Sequence, residues 1–241
     1  MKKMKLDILA IGVHPDDVEL GCGGTILKHI DNGYKVGIVD LTKGELGSRG
    51  TATTRKKEAK KAMKYAGVVA RENLGMADGF FENTKANKLK IIKAIRQYQP
   101  DIILANAISD RHPDHGRASL LISEACFLSG LLKIKTTVNR RSQKHWRPRK
   151  VFHYIQDHYM KPDIVVDISG YMDKKIELVM CYETQFYTKS IKGPQTPISS
   201  KSFLDGLVGR AQDYGRRIGV EHGEGFVCKE YMGTDNLTTI L

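Results

Sequence analysis

Two short segments concentrate the residues able to do chemistry, His14-Pro15-Asp16-Asp17-Val18-Glu19 and Asp110-Arg111-His112-Pro113-Asp114-His115. Each mixes imidazole with carboxylate, the groups that bind divalent ions and move protons near neutral pH. His14 and Asp17 are three residues apart and can close on one ion from a single loop, and a second histidine from the other segment would complete a three-ligand set. Three protein ligands plus an open position is the pattern of a catalytic zinc, whereas structural zinc takes four ligands, mostly cysteines. Fe2+ or another divalent ion accepts the same donors. Proline inside both segments stiffens the loops and lowers the entropy lost when the ligands converge. A lone histidine at a strand end is usually a hydrogen-bonded structural residue; two such clusters at neighbouring strand ends argue for metal.

The surrounding pattern predicts how the clusters meet. Leu6 to Val13 and Lys35 to Leu41 are short apolar runs suited to strands buried on both faces of a parallel sheet, and Asp101 to Asn106 is a third. Val151 to Ile155 and Ile164 to Val166 read as two more. Helical periodicity covers Thr25 to Ile30, Thr54 to Tyr65, Lys88 to Tyr98, the stretch after His115 to about Leu132, Met172 to Tyr182 and Phe203 to Ile218. Asn32-Gly33 and Gln99-Pro100 are stop signals. Thr42 to Thr53, Arg140 to Arg149 and Thr188 to Ser200 read as loops. The alternation predicts one α/β domain over 1–241, a Rossmann-like, doubly wound, mostly parallel sheet with helices on both faces. Sites in such sheets lie beyond the carboxyl ends of the strands, where both clusters fall.

Composition excludes several classes. No apolar run approaches the roughly 18 residues that cross a bilayer, and the start of the chain lacks a cleavage-site pattern, so a soluble, cytoplasmic protein is expected. Cys22, Cys126, Cys181 and Cys228 form no CxxC pair and read as free, mostly buried thiols. Gly21-Cys22-Gly23-Gly24-Thr25 does not fit GxGxxG, which argues against a nicotinamide or flavin cofactor; the glycines are expected to let a helix pack closely on the sheet. The formal charge of +12 suits an anionic partner. Its clusters at Arg55 to Lys64 and Arg140 to Lys150 read as a solvated helix face and as an exposed loop or subunit contact around Trp146, so nucleic acid is not expected. A phosphoesterase would commonly need a second metal and more carboxylate ligands than the segments supply.

The segments His14 to Ile26 (HPDDVELGCGGTI) and His112 to His115 (HPDH) resemble the signatures of the LmbE-like, or PIG-L type, zinc deacetylases. Leu41 to Thr51, Arg71 to Phe81 and Gln185 to Phe203 are similar to the branch that deacetylates N-acetylglucosaminyl malate in bacillithiol biosynthesis. The resemblance implies that His14, Asp17 and His115 bind zinc, that Asp16 is the general base, and that a protonated His112 stabilises the oxyanion while Asp114 orients His112. It places Arg55, Arg111, Glu45 and Ser48 near substrate. The implied reaction is attack of zinc-activated water on an acetamide, most directly that of N-acetyl-α-D-glucosaminyl L-malate, a small anionic amino-sugar derivative. Related substrates are other N-acetylated sugars or amides, mycothiol-type or chitooligosaccharide. The resemblance also implies a homo-oligomer, a hexamer.

Overall fold

The computed structural model describes residues 4–187 and 193–239. In chain order the elements are β1 (Ile8–Gly12), α1 (Asp17–Asp31), β2 (Val36–Thr42), α2 (Ala52–Ala66), β3 (Ala70–Met76), α3 (Lys85–Tyr98), β4 (Ile102–Ala105), α4 (Pro113–Ser129), the short β5 (Thr137–Val138) and β6 (Arg141–Ser142), β7 (Lys150–Tyr154), β8 (Ile164–Asp167), α5 (Met172–Val179), α6 (Lys201–Arg217) and β9 (Gly223–Val227). A seven-stranded sheet runs β3-β2-β1-β4-β7-β9-β8, and its first five strands are mutually parallel. The fold class is the expected one. The departure is at one edge, where β9 pairs antiparallel with both β7 and β8.

Alternation along β1 explains the layering, because its residues are buried on both faces. Ile8 and Ala10 join a core with Leu20 and Ile26 of α1, Ala59 and Ala62 of α2 and Leu207 of α6. Leu9 and Ile11 join an opposite core with Ile91 and Ile95 of α3 and Leu121 and Ile122 of α4. Three helices start as their residues dictate: Thr51, Thr84 and Ser200 each accept a backbone N–H of the first turn of α2, α3 and α6.

The glycine run in α1 behaves as expected. A Cβ on Gly21 would lie 2.2 Å from the Tyr154 ring and one on Gly24 would lie 2.7 Å from Ile168, so only glycine lets α1 lie this close to β7 and its neighbours. The helix starts earlier than its sequence predicts, at Asp17, and is interrupted at Cys22, whose φ of −145° is not helical. Beyond the interruption the freed N–H groups of Gly24 and Thr25 donate to the Glu224 carboxylate on β9 (2.9 and 2.7 Å), which also pairs with the buried Lys175 at 2.6 Å.

Two large-sheet strands do not show in the sequence pattern. β3 (ARENLGM) is polar because it is an edge strand whose Arg71 turns inward, donating to both oxygens of Asp40 (2.9 and 2.7 Å) and to Glu19 (2.5 Å). β9 (GEGFV) carries glycines because Tyr214 lies against it, 2.9 Å from where a Cβ on Gly225 would stand. The predicted loop over Arg140 to Arg149 begins in the turn of the β5-β6 hairpin, and Trp146 donates its indole N–H to Pro100 O (2.7 Å). Of the predicted loop Thr188 to Ser200, residues 188–192 lie outside the described residues and 193–200 are irregular. All four cysteines are free, three of them buried. No helix among the described residues is long and apolar enough to cross a membrane.

Candidate metal centre and active site

Both chemical segments sit at the carboxyl edge of the parallel strands. His14 follows β1, and Asp17 opens α1; Asn106 follows β4, and His112 is the N-cap of α4 with Pro113 in the first turn. The helix thus begins inside the second segment, earlier than predicted, because proline suits a first helical turn where its missing N–H is not needed. Asp114 and His115 are thereby fixed on its first turn.

Asp17 is the most constrained carboxylate. Its Oδ2 accepts from the backbone N–H groups of Val13 and His14 (3.0 and 2.9 Å) and from Asn106 Nδ2 (3.0 Å), while Gln156 Nε2 donates to Oδ1 (3.1 Å). His14 Nδ1 lies 3.6 Å from Asp17 Oδ2, and His115 Nε2 lies 3.2 Å from Asp17 Oδ1. The far nitrogens are each held by a carboxylate. His14 Nε2 donates to Asp78 Oδ1 at 2.9 Å, and His115 Nδ1 donates to Asp110, which is itself anchored by the N–H groups of Asp157 and His158. A carboxylate behind a ligating imidazole fixes its tautomer and raises its basicity.

These residues fit a divalent ion. The donor atoms of His14, Asp17 and His115 all lie within 4.8 Å of one another, and His115 Nε2 is buried with no hydrogen-bond partner among the described residues. A second grouping of His14, His112 and Asp114 fits less well, since Asp114 already accepts from Arg117 (2.6 Å) and from Gly79 N–H (2.8 Å). For His14, burial lowers the pKa but the Asp17 and Asp78 carboxylates outweigh it and raise it to about 10. For His115, burial is likewise outweighed, by Asp17 and Asp110, and the pKa rises to about 9.

Asp16 stands beside this set without joining it. Its φ of 135° is in a region that side chains rarely adopt, and its carboxylate caps nothing. Arg55, from α2, holds it there through Nη2, at 2.8 Å from Asp16 Oδ2 and 2.6 Å from Pro15 O. Burial raises the Asp16 pKa to about 7 against the lowering pull of Arg55. A buried carboxyl poised near neutrality suits a general base.

His112 differs from expectation. Its Nδ1 accepts the Asp114 backbone N–H (3.3 Å), so the neutral ring carries its proton on Nε2. Burial, then His14 and His115, lowers its pKa, so the neutral ring is favoured over the protonated one. The Asp114 carboxylate is engaged by Arg117 and Gly79, and its link to His112 is through the backbone.

One cavity of about 330 Å³ is lined by His14, Asp16, Asp17, His112 and His115, and also by Arg55, Arg111 and Ser48. Arg55 is buried against Asp16, and Arg111 pairs with Asp157 at 3.0 Å. Glu45 is not part of the lining; it accepts from the Asp78 and Lys43 N–H groups (3.2 and 3.1 Å) and shapes the loop after β2. Asp78, Asn106, Gln156 and Arg210 are contributors the sequence does not single out. Asn106 and Gln156 stand at ends of predicted strands, where polar residues were open to notice; Asp78 follows β3, a strand the pattern hides.

Comparisons with known proteins identify the family. Residues 9–126, which include both segments, match the family described as PIG-L, GlcNAc-PI de-N-acetylase. The chain is 31% identical to diacetylchitobiose deacetylase of Thermococcus kodakarensis over 74% of this chain and 70% of that one. It is 23% identical to a Bacillus anthracis protein described as "Probable N-acetyl-alpha-D-glucosaminyl L-malate deacetylase 2", over 78% of this chain and 84% of the relative. The crystal structure of the conserved protein TT1542 from Thermus thermophilus superposes with a TM-score of 0.84 and 33% identity, covering 95% of this chain and 98% of that one. The chain belongs to the PIG-L, or LmbE-like, family of deacetylases.

Proposed function

We propose that the protein is a metal-dependent deacetylase of an N-acetylglucosaminide with an acidic aglycone, N-acetyl-α-D-glucosaminyl L-malate. The observation that carries the chemistry is Asp16, held by Arg55 in a strained backbone conformation beside three convergent ligands and facing the same cavity. A divalent ion held by His14, Asp17 and His115, zinc or Fe2+, would polarise the acetamide carbonyl and lower the pKa of a water molecule. Asp16 takes the proton from the attacking water and returns it to the amine nitrogen as the C–N bond breaks. His112 donates its Nε2–H to the carbonyl oxygen as negative charge collects there, which is typically worth a few kcal/mol. Acetate and a free amine leave.

A two-metal phosphoesterase is disfavoured by the same geometry. The remaining carboxylates near the ligand set, Asp16, Asp78, Asp110 and Asp114, are engaged by Arg55, His14, His115 and Arg117 respectively. The acidic aglycone is supported by the +12 charge and by likeness to the Bacillus anthracis relative. The Thermococcus kodakarensis relative is named for a neutral disaccharide, so the two substrates make the test. Purified protein loaded with Zn2+ or Fe2+ should release primary amine from N-acetylglucosaminyl malate faster than from N,N'-diacetylchitobiose, and a chelator should abolish turnover. Turnover by metal-free protein, or preference for the disaccharide, would overturn the reading.

A further inference from the structure

We propose that Arg210 is the specificity-determining residue for the aglycone, pairing with a carboxylate on the group joined to the anomeric carbon of the amino sugar. The inference rests on the acidic-aglycone reading above and identifies the side chain that would enforce it.

The cavity that holds the metal ligands does not end at α6. A second cavity of about 410 Å³ continues from it, and Asp157, Phe203, Leu207 and Arg210 line both. Arg210 therefore stands where a substrate reaching out of the inner cavity would place its next group. Sites for small molecules are commonly built this way, an apolar wall with a few fixed polar groups that set orientation. Phe203 and Leu207 supply the wall, and the guanidinium supplies the polar group.

The state of the guanidinium matters more than its position. Arg55 is held by Asp16, and Arg111 by Asp157. Among the described residues, Arg210 makes no hydrogen bond and no ion pair. Acids whose field reaches it, Asp157, Asp110 and Glu224, are engaged by Arg111, His115 and Lys175, and Asp213 of the outer cavity is engaged by Arg216 and Arg217. Burial holds the Arg210 pKa below the ordinary arginine value, the signature of a charge lacking compensation. A carboxylate entering here meets a cation that it need not free from a partner among the described residues. Guanidinium and carboxylate match in a two-pronged hydrogen-bond geometry that a neutral sugar hydroxyl cannot reproduce. A neutral aglycone would leave the half-buried charge unpaired, so discrimination arises from both sides of the comparison.

The test uses metal-loaded enzyme with three substrates: N-acetylglucosaminyl malate, its dimethyl ester, and N,N'-diacetylchitobiose. Arg210→Gln should lower kcat/KM on the diacid by about 10- to 100-fold, mostly through KM, as expected for a lost charged pair, and leave the diester nearly unchanged. Arg210→Lys should recover part of the loss and serves as the folding control. L-Malate should inhibit wild-type turnover of the diester and fail to inhibit Arg210→Gln. Equal losses on diacid and diester, or no loss on the diacid, would overturn the role of Arg210 while a wild-type preference for the diacid left the substrate reading standing. A wild type that prefers the disaccharide would overturn both, and that result is visible before any variant is made.

Discussion

The Arg55 guanidinium lies 2.8 Å from the Asp16 carboxylate with both side chains buried, and the same Nη2 reaches Pro15 O at 2.6 Å. One side chain thereby holds the position, the charge and the backbone of the proposed base.

Removing that partner should be costly. Arg55→Ala leaves Asp16 buried without its counter-ion, a change that typically costs about 3–5 kcal/mol of stability. Its effect on chemistry should be specific: kcat falls at least about 100-fold while metal content is retained, and the acid limb of the pH–rate profile moves upward because the lowering influence of Arg55 on Asp16 is gone. Metal analysis beside kinetics checks this. An Arg55→Ala protein with unchanged kcat would remove the pair from the mechanism.

Asp78 and Asp110 should tune metal affinity from behind the ligands. Asp78→Asn and Asp110→Asn keep the shape but weaken the hold on His14 Nε2 and His115 Nδ1. Such partners are typically worth about 10- to 100-fold in metal affinity. Competition with a chromophoric chelator measures it, and unaltered dissociation constants in both variants would refute the assignment.

Proton release should accompany metal binding. The metal-free pKa values of His14 and His115, about 10 and about 9, stand above the ordinary histidine value. Stability drawn from these raised groups is fully present below pH 6.5 or so and is lost as pH rises through 9 to 10. The metal-free protein should therefore melt at a lower temperature at pH 9.5 than at pH 7, whereas the stabilisation added by metal should grow over the same interval. Calorimetry at pH 7 in buffers of different ionisation enthalpy should count about one to two protons released per ion. Zero release would contradict the raised values.

Two glycines should respond oppositely to alanine. Gly21→Ala forces a methyl onto the Tyr154 ring, 2.2 Å away, and should cost about 1–3 kcal/mol or more while displacing Asp17 at the start of α1. Gly209→Ala in α6 meets nothing within 4 Å and should stabilise by about 0.5–1 kcal/mol through helix propensity. Denaturant unfolding of both variants tests the pair, and a neutral Gly21→Ala would show that α1 does not depend on this approach.

Much of the framework was legible because β1, β2 and β4 are buried on both faces and leave continuous apolar runs. β3 and β9 were not, since one hides an inward-turned arginine in a polar edge and the other is thinned by glycines under Tyr214. At the site, the spacing of His14 and Asp17 pointed to two donors able to share an ion, because both belong to one loop. Asp78 and Gln156 carried no such signal; each acts through a contact more than 60 residues distant in sequence. Arg55 shows the limit of charge reading, since it begins a run of solvated lysines yet is itself buried.

The Glu224 carboxylate ties β9 to α1 across 200 residues. β9 also lies between β7 and β8, so β8 gains its sheet partner only when a later segment slots in beside it. A chain emerging from the ribosome would hold both candidate metal-binding segments long before the strand that secures the helix between them. Contacts of such sequence separation carry a large loop-closure cost and slow folding. Early metal capture by the half-made sheet would thus be loose, and tight, ordered binding would wait until β9 has taken its place between β7 and β8.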